Sequence, residues 1–248
     1  MTLALAAVCS DGVVIIEDKA LTRMDTFGLI GHDEKLRGVI RNVIFGYSGS
    51  EDMFDIFVKY VVGELVMLRD GVEYYTSINM VSKFSRIMNL LRSINSSFTL
   101  KILIARQFPG NGNSDLFMLP ENGVVDSIAT WKGIGNADLV AEPLVRDFWS
   151  KKSNVKMKDF AMLSHCIIKF IENEELAVGV GVGSNNASIR YLKHGAEIDI
   201  PPQPEEFNSF DDYYEFYSSN FRTVLGTDYY ELKRSTKDLR GRFGSTSS

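Results

Sequence analysis

The second residue of the chain, Thr2, could act as a nucleophile. Methionine aminopeptidase removes Met1 when the next residue is small, and Thr2 would then carry a free α-amine. An amino-terminal threonine combines a nucleophilic hydroxyl with a general base, because its amine, with an ordinary pKa of about 7.7 to 8.0, can accept the hydroxyl proton near neutral pH. The chemistry expected of Thr2 is therefore attack on an acyl group through its own hydroxyl.

Three further residues are candidates for supporting this nucleophile. A cation beside the hydroxyl and amine would lower their effective pKa, and a carboxylate would hold that cation in place. Lys35 and Asp18 fit these roles, because each lies where a predicted strand begins or ends near Thr2. A backbone N–H at a glycine-containing turn from strand to helix can stabilise an oxyanion, and Gly49 occupies such a turn. A catalytic site is predicted where these four residues meet.

Other chemistries are not indicated by the residue types and their spacing. The two cysteines, Cys9 and Cys166, lie in apolar surroundings without a CxxC spacing, so neither a disulfide framework nor a zinc site is expected. The glycine run at 179–183 lacks the Lys-Ser/Thr ending and the strand-turn-helix context of a phosphate loop. None of the three histidines pairs with a serine or cysteine in a motif, which argues against such a triad. No cofactor and no metal are predicted.

Composition and charge narrow the class of protein further. The formal net charge is -5, and the 27 Lys and Arg residues are scattered singly, so nucleic-acid binding is not expected. No stretch reaches the ~18 consecutive apolar residues of a membrane span, and the first ten residues lack the pattern of a signal peptide. We therefore expect a cytoplasmic protein without a membrane partner.

The candidate residues must be positioned by strands that open the chain. Two apolar runs, 2–8 and 13–18, flank an Asp-Gly turn and predict a hairpin, and further extended stretches at 27–30 and 35–47 are expected to extend the same sheet. Apolar residues then recur at helical spacing from Ser50 and again over 78–94, which predicts two helices. Strands at 99–105, 116–119 and 124–130, helices at 136–150 and 157–172, and closing strands at 177–182 and 187–192 complete the pattern.

This order of elements predicts an α+β fold. Two sheets that each need a helix pair on the outer face would be satisfied by a four-layer αββα sandwich, with the helices outside and the two packed sheets within. This domain is expected to span residues 1–200. The aromatic and acidic residues of 201–248 predict a C-terminal extension that docks on the domain, with disorder expected over 241–248.

The quoted residues resemble those of a known family. The segment from Asp18 to Thr22, Asp-Lys-Ala-Leu-Thr, is similar to the Asp-Arg-Arg-Ala-Thr segment of proteasome β subunits, and Ser48-Gly49 followed by a helix is similar to their Ala-Gly turn. The match runs from Thr2 to about Leu65, with one extra residue before Lys35, and resumes at 133–135. The chain thus resembles the proteasome β type, which includes the 20S core subunits and the bacterial two-component heat-shock protease.

The resemblance implies further roles. Thr22 would hold the substrate backbone by main-chain hydrogen bonds, and a substrate strand would add beside Thr22 and Gly49. Glu51 and Asp55 would line the first specificity pocket, which favours a basic residue before the cleaved bond. The implied activity is that of a threonine endopeptidase whose subunits form six- or seven-membered rings, homo- or hetero-oligomeric, acting on peptides or unfolded proteins with a separate ATPase unfoldase.

Departures from the family pattern keep two alternatives open. Ile134 replaces the serine of the family's Gly-Ser-Gly and cannot hydrogen-bond a terminal amine. Candidates for the family's outer Asp and Ser are Glu174, Glu175 and Ser184, although the glycine run before the closing strand does not align cleanly. The chain could therefore be a non-catalytic structural subunit of a ring. It could also be a transpeptidase that passes the acyl group to an amine, like the proteasome-related connectase of methanogens.

Overall fold

The fold was analysed from a computed structural model of the 248-residue chain. The structure describes residues 3–18, 20–22, 29–32, 37–40, 43–66, 77–107, 114–177, 187–194 and 210–243. The strands are β1 (Leu3–Cys9), β2 (Gly12–Glu17), β3 (Ala20–Thr22), β4 (Leu29–His32), β5 (Arg37–Ile40), β6 (Val43–Gly49), β7 (Leu100–Gln107), β8 (Ser114–Leu119), β9 (Asp126–Ile128), β10 (Trp131–Gly135) and β11 (Ser188–Lys193). The helices are α1 (Glu51–Val66), α2 (Ser77–Ile94), α3 (Asp138–Ser150), α4 (Met157–Asn173), α5 (Phe210–Leu225) and α6 (Thr227–Phe243).

The opening hairpin forms the centre of a four-stranded antiparallel sheet with the order β10-β1-β2-β11. Leu3 pairs with Gly135 at the start of β1, and Ala4 pairs with Glu17 across the hairpin. Successive side chains of a strand point to opposite faces, and both faces of β1 and β2 are buried, which explains their near-continuous apolar sequence. The predicted hairpin is confirmed.

A five-stranded antiparallel sheet, with the order β5-β6-β7-β8-β9, is covered by α1 and α2. Its cover is aromatic: Phe45 of β6 meets Phe57 of α1 and Phe84 of α2 edge to face, with ring centroids 5.9 and 5.7 Å apart. The Oγ of Ser50 accepts a hydrogen bond of 3.4 Å from the Met53 N–H, as expected of a residue that caps the start of α1. The two predicted helices are confirmed.

The two larger sheets share a buried apolar cluster. The cluster combines side chains from all four strands of the four-stranded sheet with side chains of β6, β7 and β8, namely Ala4, Ala6, Val13, Ile15, Ile44, Leu103, Ala105, Leu116, Ile134 and Leu192. On its opposite face the four-stranded sheet packs against α3 and α4. Close packing on both faces fixes where β1 and β2 begin and end, and these strand ends carry the candidate site.

The C-terminal extension forms two helices that pack on the domain. In α5, Phe221 and Leu225 are buried, and the Phe221 ring meets Phe170 of α4 edge to face with centroids 5.3 Å apart. The Phe210 ring stacks on the buried His165 ring of α4 at 4.0 Å between centroids. The docking of the extension was predicted, but its helices were not. Helix α6 continues to Phe243, and 244–248 lie outside the described residues, so the expected disorder over 241–248 stays a prediction.

The predicted four-layer αββα sandwich is wrong. The described chain has three sheets of four, two and five strands, and six helices, with α5 packed over α3 and α4. The prediction assigned one pair of helices to each of two sheets, and it did not include the two helices of the C-terminal extension. The α+β class remains. The expectation that one sheet continues through residues 27–47 is also wrong, because β3 pairs with β4 alone and β5 pairs with β6.

Smaller differences concern the second half of the chain. Strand β10, which pairs with β1, was not predicted, since its Trp-Lys-Gly-Ile-Gly sequence has little apolar alternation. The strand expected over 124–130 is limited to β9. The strand expected over 177–182 lies outside the described residues, except Ala177. The division into residues 1–200 and 201–248 stays a prediction. In the parts of the chain that the structure describes, no helix is both long and apolar enough to cross a membrane.

One carboxylate anchors the extension to the end of α4. Glu174 accepts hydrogen bonds from Arg222 of α5 and from Tyr229 and Lys233 of α6, the last at 3.1 Å. Partial burial alone would raise the pKa of Glu174, but the hydrogen bonds from these three side chains outweigh it and lower the pKa to about 2. The Thr236 hydroxyl adds a hydrogen bond of 3.0 Å to the Leu176 carbonyl.

Replacing Glu174 with glutamine is expected to destabilise the fold modestly at neutral pH. The loss should be roughly 1 kcal/mol, or about 2–4 °C in Tm for a chain of this size, because solvent screens the exposed Arg222 and Lys233. Since the pKa is lowered in the folded state, the stabilisation is fully present above pH 4.5 and is lost as the pH falls towards 2.

Thermal unfolding of both proteins between pH 7 and pH 2 measures this contribution. The wild-type Tm should fall towards that of the Glu174→Gln variant in the acid range. Glu142→Gln, which removes an exposed ion pair with Arg146 on α3, is the control and should change the Tm little. Equal effects of the two substitutions would contradict an anchoring role for Glu174.

Candidate active site

Asp18 is placed next to the peptide bond that joins Thr2 to Leu3. Its side chain is fully buried, and its Oδ1 accepts a hydrogen bond of 2.9 Å from the Leu3 N–H. The Asp18 N–H in turn donates to the Leu3 carbonyl at 3.0 Å. Asp18 therefore fixes the start of β1, one residue from the predicted nucleophile. A charge-assisted hydrogen bond of this kind is among the stronger ones in proteins.

Gly49 ends β6 at the turn into α1. Its φ angle is +118°, a conformation that side chains disfavour, and a Cβ at this position would lie 2.1 Å from the Thr99 carbonyl oxygen. The Ser50 N–H donates to that same carbonyl at 2.8 Å. Gly49 is exposed, and α1 begins two residues later. An exposed backbone position beside the positive end of a helix dipole can stabilise a developing oxyanion.

Glu17 is a buried carboxylate that sequence reasoning missed. It is the last residue of β2 and is fully buried, and its Oε1 accepts a hydrogen bond from the Tyr47 N–H of β6. A Cβ on the neighbouring Gly46 would lie 2.5 Å from that oxygen, so only glycine leaves room for the carboxylate. The signal for this contact was an acidic residue at the inward position of a strand, in alternation with Val13 and Ile15.

The dipeptide Glu17-Asp18 connects the two halves of the candidate site. Asp18 binds the start of β1 in the four-stranded sheet, and Glu17 binds β6 of the five-stranded sheet two residues before Gly49. The structure thus brings Asp18 and the strand of Gly49 together. Thr2 and Lys35 lie outside the described residues, as does the side chain of Thr22, whose backbone ends β3.

Glu51 and Asp55 lie on the solvent-exposed side of α1, in its first turn and a half. Met53 and Phe54 between them are buried against the five-stranded sheet. Phe54 stacks on the Tyr47 ring with centroids 4.1 Å apart. The exposed carboxylates are therefore available to a partner molecule, and their role in a specificity pocket stays a prediction.

Ile134 has a packing role in the structure. Ile134 belongs to β10 and pairs with Ala4 of β1. Its side chain is 2% exposed and lies in the apolar cluster between the two larger sheets. Its neighbour Gly133 lies under Asp138 of α3, since a Cβ there would be 1.9 Å from the Asp138 Oδ1. Burial raises the pKa of Asp138, and the charge of Lys132 opposes that effect. An isoleucine at this position extends the core where the family has a serine.

The remaining candidates for an outer polar shell are Glu174, Glu175 and Ser184. Glu174 binds the C-terminal extension through Arg222, Tyr229 and Lys233, which accounts for its carboxylate. Glu175 adopts a positive φ of 54° after the end of α4. Ser184 lies outside the described residues. The assignment of Glu174 to the catalytic shell is therefore replaced by an anchoring role.

The cysteines do not offer a competing nucleophile. Both Cys9 and Cys166 are buried, and burial raises the pKa of each thiol, to about 12 in the case of Cys166. The thiolate is the reactive form of cysteine, so a raised pKa makes both residues poor nucleophiles at neutral pH. Among the described residues, no group of three or more His, Cys, Asp or Glu side chains could hold a metal ion.

The structure is similar to solved structures of Anbu proteins. It matches a mutant of Anbu from Hyphomicrobium sp. strain MC1 with a TM-score of 0.69 and 14% identity, over 92% of this chain and 97% of that chain. It matches Anbu, described as an ancestral beta-subunit, from Yersinia bercovieri with a TM-score of 0.68 and 10% identity, over 91% and 97% of the two chains. No protein-family model matches the chain, and no curated protein is similar to it in sequence.

These matches correct the family assignment made from sequence. The chain shares its fold with Anbu proteins across nearly its whole length, and the assignment to the 20S β subunits or the bacterial two-component heat-shock protease is wrong. The segments around Asp18 and Gly49 are short, and a strand end followed by a Gly-containing turn does not identify one family. At 10 to 14% identity, the likeness shows the fold alone.

Proposed function

We propose that this chain is a proteasome-like subunit that cleaves peptide bonds through an amino-terminal Thr2. The observation that carries the proposal is the pair of hydrogen bonds between Asp18 and Leu3, which fix the first residues of β1 beside a buried carboxylate. Removal of Met1 would leave Thr2 as the amino terminus, one residue from this fixed point. A nucleophile needs such positioning, because errors of about 1 Å can cost ~10²-fold in rate.

In the proposed reaction, the amine of Thr2 accepts the hydroxyl proton as the oxygen attacks the substrate carbonyl. Lys35, held by Asp18, favours the deprotonated hydroxyl and amine through its positive charge. The backbone N–H of Gly49 donates to the oxyanion of the tetrahedral intermediate. The leaving amine takes the proton from the terminal amine, and water then hydrolyses the ester on Thr2. Each of these roles is part of the proposal.

Substrate and assembly follow from the same proposal. An extended peptide would add as a strand beside Thr22 and Gly49. The side chain of the substrate residue that precedes the cleaved bond would then lie near Glu51 and Asp55, on the exposed side of α1. Two carboxylates one helical turn apart favour a basic side chain at that position. We further propose that the subunits assemble into a ring, homo- or hetero-oligomeric, that receives unfolded chains from a separate ATPase.

A second candidate function is that of a non-catalytic subunit with the same fold. Ile134 favours it, because its side chain is 2% exposed in the apolar core and provides no hydroxyl for the terminal amine. Such a subunit would retain its assembly contacts without turning over peptide. The two functions differ in the state of Thr2, which can be measured directly.

Intact mass of the purified protein tests the proposal. Loss of Met1 is expected, followed by a single adduct when the protein is treated with a peptide epoxyketone, an electrophile that bridges the hydroxyl and amine of an amino-terminal threonine. Peptide mapping should place the adduct on Thr2. Retained Met1 and no adduct would contradict catalysis and support the non-catalytic subunit.

A further inference from the structure

We infer that Glu17 is a positioning residue, which sets the distance between the nucleophile and the oxyanion donor. The inference rests on the proposed function, because it concerns the geometry of Thr2 and Gly49. Glu17 lies between the two larger sheets. In one of them β1 begins at Leu3, the residue after Thr2, and in the other β6 ends at Gly49. Its carboxylate is the last inward-facing side chain of β2 and is fully buried.

The first step of the argument is that Glu17 crosses from one sheet to the other. Its backbone belongs to β2 and pairs with Ala4 and Ser188 in the four-stranded sheet. Its Oε1 accepts the hydrogen bond from the Tyr47 N–H in β6 of the five-stranded sheet. Apolar contacts between sheets are non-directional, whereas a hydrogen bond to a carboxylate fixes both distance and register.

The second step is that the surroundings are shaped to admit this carboxylate. A Cβ on Gly46 would lie 2.5 Å from the Glu17 Oε1 and 2.9 Å from the Ile15 Cγ2. Tyr47 is itself held in place by its ring, which stacks on Phe54 of α1 at 4.1 Å between centroids. The N–H that Glu17 binds therefore belongs to a rigid part of β6.

The third step links this contact to the site. Tyr47 precedes Gly49 by two residues on the same strand, and Glu17 precedes Asp18, which binds the Leu3 N–H. Two adjacent carboxylates thus hold the beginning of β1 and the end of β6. Loss of the Glu17 acceptor would allow the end of β6 to move relative to β1 while leaving the chemical groups of the site intact.

The test compares Glu17→Ala, which removes the acceptor, with Glu17→Gln, whose carbonyl oxygen can still accept from the Tyr47 N–H. Ser188→Ala is the matched control, because Ser188 is a buried polar residue that pairs with Glu17 and whose hydroxyl has no hydrogen-bond partner among the described residues. The rate of epoxyketone adduct formation, the kcat and KM for a fluorogenic peptide, and the Tm are measured for each protein.

We expect Glu17→Ala to lower the adduct rate and kcat by roughly 10²-fold with little change in KM, since positioning acts on the transition state. Glu17→Gln should retain most of the rate, and Ser188→Ala should react like the wild type. Gly46→Ala should also slow the reaction by displacing the carboxylate. Because the same methyl group would also press on Ile15, the Tm of Gly46→Ala is compared with that of the wild type before its rate is interpreted.

Other results would overturn the inference. A folded Glu17→Ala variant that reacts at the wild-type rate would do so, as would equal losses in Glu17→Ala and Glu17→Gln. If Glu17→Ala does not fold, Gly46→Ala decides the question, and a wild-type rate in that folded variant would count against positioning. A wild-type protein that has lost Met1 and still forms no adduct would instead overturn the proposed function, and the role of Glu17 with it.

Discussion

Replacement of Thr2 with alanine is expected to abolish peptide hydrolysis and adduct formation. Alanine allows removal of Met1 and keeps the terminal amine, but it has no hydroxyl to attack the substrate. Loss of a catalytic nucleophile typically costs ~10⁴-fold or more in rate. Fluorogenic peptide turnover and intact mass after epoxyketone treatment measure the two consequences.

The folded state should not change in this variant, because the bonds that fix β1 join Leu3 and Asp18 and do not involve the Thr2 side chain. The Tm and the oligomeric state in solution should match those of the wild type. Thr2→Ser is the matched control: it retains a hydroxyl and a terminal amine, and should keep part of the activity. Turnover at the wild-type rate in Thr2→Ala would rule out Thr2 as the nucleophile.

The first 107 residues show which parts of the fold can be predicted from the sequence. Two apolar runs around an Asp-Gly turn predicted β1 and β2, and the three- to four-residue spacing of apolar residues from Ser50 and over 78–94 predicted α1 and α2. The sequence did not predict which strands pair with one another, because β3 and β4 have the same extended pattern as strands of a larger sheet. Residue periodicity reports the faces of an element, and it does not report its neighbours.

The C-terminal extension illustrates a second limit. Helix α5 buries Phe221 and Leu225, but its aromatic residues are mixed with Asp211, Asp212 and several serines, which weakened the helical pattern. Tyrosines also weaken the helical pattern of α5, because each combines an apolar ring with a polar group. Tyr214 and Tyr217 are half-buried. Tertiary packing decides such helices more than their own sequence does.

The sequence predicted some residues of the candidate site and missed others. Asp18 and Gly49 follow local signals, the end of a strand and a turn into a helix, and the structure places both at strand ends. Glu17 was missed, because its partner is the backbone N–H of Tyr47, thirty positions away, and an acidic residue at an inward position of β2 does not identify that partner. Ile134 was noted as a departure from the family pattern, and its burial explains why an apolar residue fits there.

Replacement of Gly49 with alanine is expected to produce the largest loss of stability among single substitutions at the site. The φ of +118° strains any residue with a Cβ, and that Cβ would lie 2.1 Å from the Thr99 oxygen and 2.7 Å from its carbonyl carbon. Strain of about 1–3 kcal/mol and overpacking of about 1–3 kcal/mol together predict a loss of roughly 2–6 kcal/mol. Chemical denaturation of both proteins gives the difference in the free energy of unfolding.

Gly226→Ala separates the two causes, because Gly226 also has a positive φ, of 54°, but no atom lies within 4 Å of a Cβ built there. The loss in the free energy of unfolding of Gly226→Ala should come from backbone strain alone and amount to about 1–2 kcal/mol. The difference between the two variants then measures the clash with Thr99 together with the additional strain of the φ of +118° at the turn that presents the proposed oxyanion donor. Equal losses would mean that β7 moves aside to admit the methyl group, and the turn at Gly49 would then be too compliant to hold an N–H in place for catalysis.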